Sequence, residues 1–119
     1  GGRAPLHLTS VGKLFLADDD LQGTRAYAHR TQLKGSTRNS ITQLDALERE
    51  LNKVRQCRYA RDNEELELGV RCMAAGILDD QGHLVAGLSI SAPSGLLQEE
   101  WLPKLQETAK QISAALGRK

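Results

Sequence analysis

Apolar residues along this chain follow two periods, and the change of period marks out its elements. A short helix is predicted from Ser10 to Ala17, with Thr9 or Ser10 able to cap its first free N–H groups and Leu14 and Phe15 offering apolar contacts. Asp18-Asp19-Asp20 ends it on the solvent side, and a weaker helix covers Leu21 to Thr31, with Gly23 near its start. Gly35 marks a turn, and Thr37 to Thr42 reads as extended polar chain. Leu44, Leu47, Leu51 and Val54 then recur at steps of three and four, which puts them on one face of a helix. Thr42 and Asp45 have capping-box spacing at its start.

The period then shortens to two. Strands are expected over Tyr59–Asn63, Val70–Leu78 and His83–Ser91, the last two joined by the turn sequence Asp79-Asp80-Gln81-Gly82 and the last stopped by Pro93. A final helix runs from about Gln98 to Leu116, with Leu102, Leu105, Ala109, Ile112 and Leu116 as one apolar stripe and Gly117 as its stop. Pro103 fits because it lies near the first turn, where its missing N–H costs no helical bond. Three helices, three strands and a helix, with the strands antiparallel, make an α+β sandwich.

Composition narrows the function classes. The 119 residues amount to one domain, spanning 1–119, and three strands are a small sheet for its core. The opening Gly1-Gly2-Arg3 reads as a cut end, so the chain is expected to be part of a longer protein. Lys plus Arg is 16 against 15 for Asp plus Glu, a net charge of +1 that argues against a dedicated nucleic-acid surface. Phe15, Tyr27, Tyr59 and Trp101 are too few and too scattered for a base-stacking platform. Cys57 and Cys72 form no disulfide framework and lack zinc spacing, which fits reduced thiols and a cytoplasmic setting. His7, His29 and His83 are scattered, so no metal or other cofactor is expected. No apolar run is long enough for a membrane span.

The last hairpin carries the most informative chemistry. Leu78 opposite His83 would set Cys72 opposite Ser89 and Val70 opposite Ser91. One face of the returning strand then shows Leu84, Ala86, Leu88 and Ile90, a core face. The other shows Val85, Gly87, Ser89 and Ser91, small and uncharged where a solvent face would carry charge. Small residues with hydroxyls describe a small-ligand pocket. A helix packed closely on this face would select the same small residues. The acidic run Asp62-Asn63-Glu64-Glu65 reads first as solvated charge, and no nucleophile or oxyanion site accompanies it. Cys72 reads as a small strand residue, since the sequence names no base to activate it.

Three segments in order resemble the effector domain of IclR-type regulators. Pro5-Leu6-His7-Leu8-Thr9-Ser10-Val11-Gly12-Lys13 is similar to the family's "P-L-H-x-T-x-x-G-K" segment. Asp62 to Ala74 is similar to "D-x-E-E-x-x-x-G-x-x-C-x-A", and Leu88 to Pro93 to the "S-x-S-x-P" strand end. One departure is Arg58, where the family usually has Gly before the aromatic of its "Y-x-x-D" strand.

The resemblance implies a GAF-like α+β domain that binds a small organic acid, without the N-terminal DNA-binding domain and the first helix and strands of the effector domain. It implies a homodimer or homotetramer that meets operator DNA only through that missing domain, and no catalysis. By the same resemblance Ser10 and Val11 present a helix start to the ligand. Asp62 is a pocket acid, Val70 an apolar wall, and Cys72, Ser89 and Ser91 line the hairpin side. A helix N-terminus favours anions, so a carboxylate is the expected guest. Two other readings make different demands: a thiol enzyme would use Cys72 with a base, and a pure dimerisation module would pair through the Gln98–Leu116 stripe.

Overall fold

The computed structural model describes residues 5–117, so the Gly1–Arg3 opening lies outside it. The first element among the described residues is a 3-10 turn, Leu6–Leu8, that the sequence pattern does not announce. The described residues then form four α-helices: α1 (Ser10–Asp18), α2 (Leu21–Thr31), α3 (Leu44–Cys57) and α4 (Trp101–Leu116). Between α3 and α4 lie β1 (Tyr59–Asn63), β2 (Val70–Leu78) and β3 (Leu84–Pro93), an antiparallel sheet in the order β1-β2-β3.

The expected cap holds at α1 and fails at α3, and α2 has a cap the sequence pattern does not single out. Thr9 Oγ1 accepts from Gly12 N–H at 3.0 Å, and Asp20 Oδ1 accepts from Gly23 N–H at 2.7 Å. At α3 the N-cap is Gln43, which makes no side-chain cap, while Asp45 accepts from the adjacent Ala46 N–H. Thr42 and Asp45 therefore form no capping box. Packing of the Leu47, Leu51 and Val54 face, all buried, holds the helix instead.

The sheet is covered on both sides. On one side α1 and α3 bring Leu14, Ala17, Leu47, Leu51 and Val54 against Ala60 and Ala74. On the other, α4 lays Leu102, Leu105 and Ala109 against Met73, Ala75 and Ile77. The α4 stripe is thus spent on its own sheet. Its last member, Leu116, is 55% exposed and lies beyond the contact. Phe15 is likewise exposed rather than part of the α1 contact.

The hairpin register differs from the expectation by two residues: Cys72 faces Ser91, Val70 faces Pro93, and Ala74 faces Ser89. The cause is a longer connection. Asp79 N–H donates to the His83 carbonyl at 2.9 Å, Gly82 N–H donates to the Asp79 carbonyl at 3.1 Å, and Asp79 Oδ1 accepts from Gln81 and His83 N–H. Gly82 takes the left-handed conformation (φ 83°) that such a turn demands. A bulge between Ile77 and Leu78 absorbs the extra residue. A two-residue slip keeps every side chain on its expected face, because strands alternate with period two. Leu84 lies at the bulge and is the exception. It packs with the α1–α3 cluster, while Ala86, Leu88 and Ile90 pack with α4.

Candidate functional site

The face under α1 is built from small residues for two reasons at once. Beneath Val11 and Leu14 they admit the helix: a Cβ on Gly87 would come 2.9 Å from Val11 Cγ1. Toward the start of α1 they leave room. There a row crosses the sheet, with Asp62 on β1 paired to Cys72 on β2 and Cys72 paired to Ser91 on β3. Directly paired residues share a face, so this row runs beneath the first turn of α1. Ser10 Oγ lies 2.8 Å from Cys72 Sγ and ties the helix start to that row.

Thr9 takes up two of the first-turn amides of α1. Gly12 N–H goes to its hydroxyl and Lys13 N–H to its carbonyl, each at 3.0 Å. The Ser10 and Val11 amides have no partner within the helix, the usual state of a helix N-terminus. Exposure grades outward from them. Ser10 and Asp62 are buried, Val11, Val70 and Cys72 are half-buried, and Ser89 and Ser91 are exposed. The structure thus gathers Ser10, Asp62, Cys72 and Ser91 about one row, sets Ser89 one pair along, opposite Ala74, and holds Val70 opposite Pro93 at the sheet end. The arrangement is an open shelf with a polar inner edge rather than a closed hollow. Cys72 Sγ touches Ser10 Oγ and, at 3.9 Å, the Met73 carbonyl, neither of which is a base.

Beneath the shelf lies a buried charge network that the sequence reading missed. Lys13 is fully buried, with Nζ donating to Glu50 Oε2 (2.9 Å), the Arg61 carbonyl (2.7 Å) and Glu65 Oε2 (3.0 Å). Glu65 Oε2 also accepts from Asn63 N–H, and Asp62 Oδ1 accepts from Glu65 N–H at 2.7 Å. The acidic run is therefore not simply solvated, since Asp62 and Glu65 are each 5% exposed. Burial pushes both carboxyls above their usual range, and the Lys13 ammonium pulls part of the way back. The polar segment before α3 holds this turn in place. Thr37 Oγ1 donates to the Glu64 carbonyl and Ser40 Oγ to the Glu65 carbonyl, both at 2.6 Å. A signal for Lys13 was present: Ser10, Lys13, Leu14 and Ala17 stand at the i, i+3, i+4, i+7 spacing of one helix face, and a lysine on a buried face needs acidic partners.

With the geometry in place, kinship decides the class. Residues 1–116 match the model of the bacterial transcriptional regulator IclR C-terminal domain. The chain belongs to the IclR family. It is 40% identical over 121 residues to the HTH-type transcriptional regulator KdgR of Escherichia coli K12, covering 98% of this chain and 46% of that protein. The chain thus spans about half the length of the curated relatives it matches. The crystal structure of the E. coli KdgR C-terminal domain superimposes with a TM-score of 0.86 at 39% identity, covering 99% of this chain and 74% of that one. A double mutant of the inducer-binding domain of the PobR transcription factor from Acinetobacter, solved with 3-hydroxybenzoic acid, gives a TM-score of 0.88 at 32% identity, covering 95% of this chain and 67% of that one. The chain is therefore an IclR-family C-terminal domain with an α+β fold, and its relatives are named as regulators of transcription.

Proposed function

We propose that this domain binds a small organic acid on the shelf between the start of α1 and the β3 hydroxyls, and that the bound acid sets the state of a DNA-binding regulator. The row Asp62–Cys72–Ser91 under the Ser10 helix start carries this reading. The ligand carboxylate faces the Ser10 and Val11 amides, where a helix terminus favours negative charge. Ser89 and Ser91 donate to it or to a neighbouring oxygen. Asp62 accepts from a ligand hydroxyl, and Val70 covers an apolar part. The PobR relative, whose domain was solved with a hydroxylated aromatic acid, supports the ligand class. Binding here involves no catalysis, metal or cofactor.

In the full-length protein, on this reading, the domain follows an N-terminal DNA-binding domain and works in the cytoplasm as a homodimer or homotetramer. The acid shifts operator binding only by its difference in affinity between the two packings of that assembly. Titration calorimetry of the full-length protein against small 2-oxo, hydroxy and aromatic acids tests it. A saturable heat is expected for at least one acid, weakened about two- to tenfold by Ser91→Ala, the range for one hydrogen bond. Absence of both heat and thermal shift across the set refutes the proposal.

A further inference from the structure

A cavity lies at the opposite end of α1 from the Ser10 shelf. It holds about 120 Å3 and is floored by the apolar side chains of Leu14, Val54, Leu78 and Leu84. Arg55, Arg58 and Asp18 stand at its margin. A closed apolar cavity of about 150 Å3 takes up a benzene-sized guest, and this one is smaller and partly open to solvent, so it suits a smaller body.

The charges at the margin are unequal in their commitments. Arg55 donates through Nε to the Ala17 carbonyl at the end of α1 (2.7 Å) and through Nη1 to Asn52 Oδ1 (2.8 Å). Arg58 makes no ion pair among the described residues and is exposed. With Asp18 counted, the margin carries one net positive charge. Arg58 also sits at a costly backbone position. It ends α3 in the left-handed region (φ 65°, ψ 19°), where glycine alone meets no side-chain penalty. The chain tolerates this conformation with the longest cationic side chain and so sets a guanidinium at the cavity edge.

We propose that this cavity is a second ligand site, for a monocarboxylate with a branched alkyl body. The apolar part fills the space over Leu14 and Leu84, and the carboxylate meets the Arg58 guanidinium. Arg58 is suited to it because a guanidinium offers a carboxylate two parallel donors. The site is independent of the shelf in residues and location, though both lie along α1.

Methyl NMR of the full-length protein titrated with isovalerate separates the two sites, since Leu14, Val54 and Leu84 report on the cavity and Val70 on the shelf. Saturable shifts of the cavity methyls are expected. Arg58→Gly, which places at this position the residue its backbone favours, is expected to fold and to weaken the isovalerate shifts by about tenfold. Gly76→Ala is expected to weaken them with both arginines intact, because its Cβ would come 2.9 Å from Leu84 Cδ1 and press that methyl inward. Shifts confined to Val70, cavity methyls that do not move, or an Arg58→Gly protein that titrates like the wild type would each overturn the proposal. Acid binding at the shelf is read separately, from the Val70 methyls.

Discussion

Lys13 is the residue on which the site's local order turns. Its ammonium has no contact with solvent and is held by two carboxylates and a carbonyl from three different parts of the chain. Such a group adds little net stability against an apolar substitute, but removing one partner leaves the others as buried, uncompensated charge. Lys13→Met therefore leaves the buried Glu65 carboxylate and the partly exposed Glu50 without their shared cation. A loss of about 3–5 kcal/mol is expected in urea unfolding. A loss below about 1 kcal/mol would show that water or a proton replaces the ammonium easily. Lys13 belongs to α1, and Glu65 lies in the turn that follows Asp62, so the same pair fixes the distance between the helix start and the pocket acid.

Among the elements, α1 and β3 set the shape of the shelf through one close approach. Gly87 lets Val11 and Leu14 sit directly on the strand. Gly87→Ala would bring a Cβ within 2.9 Å of Val11 Cγ1, and a branched side chain on a helix has few rotamers in which to yield. A destabilisation of about 1–3 kcal/mol follows from overpacking, and most of it should return in the double variant Gly87→Ala/Val11→Ala. Additive effects in that cycle would mean that the two residues do not meet. The small face that the sequence shows thus serves two ends. Its Gly87 end fits the helix, as close packing requires, and its serine end stays open. Periodicity alone leaves that division undecided, because both uses select the same small residues.

For the whole molecule, the buried ionisable groups give stability a pH dependence with two opposing parts. His7 is buried, with Nε2 facing the Lys34 carbonyl (2.9 Å) and Nδ1 facing the Tyr27 hydroxyl (2.8 Å). The carbonyl requires a proton on Nε2, and in the neutral ring Nδ1 then accepts from the Tyr27 hydroxyl. Burial is the main reason that His7 titrates below the usual histidine range. Below about pH 6.5 the unfolded chain takes up a proton that the folded chain refuses, so stability falls as pH falls through that value. Asp62 and Glu65 act in the other direction. Their carboxyls are raised, so from their raised values down to about pH 4 the folded state holds protons that the unfolded state lacks, and stability rises as pH falls. Urea midpoints measured from pH 8 to pH 4 should decline near pH 6.5 and level off below it. The first decline should vanish in His7→Gln. A decline that persists in that variant would assign it to other groups.

The sequence by itself determined the element order, the paired faces of the strands and the family. Each rests on local periods of apolar residues or on short contiguous motifs, and both are written within a few turns of chain. Tertiary structure alone decided the hairpin register, because one bulge and a five-residue connection are settled by the hydrogen bonds of Asp79 and the packing of Leu84. It alone also decided that Lys13, Glu50 and Glu65 meet, and that the Asp62 row lies under Ser10. Those meetings join residues 37 to 62 positions apart, and a buried charge finds its partner through space, where a linear pattern carries no distance.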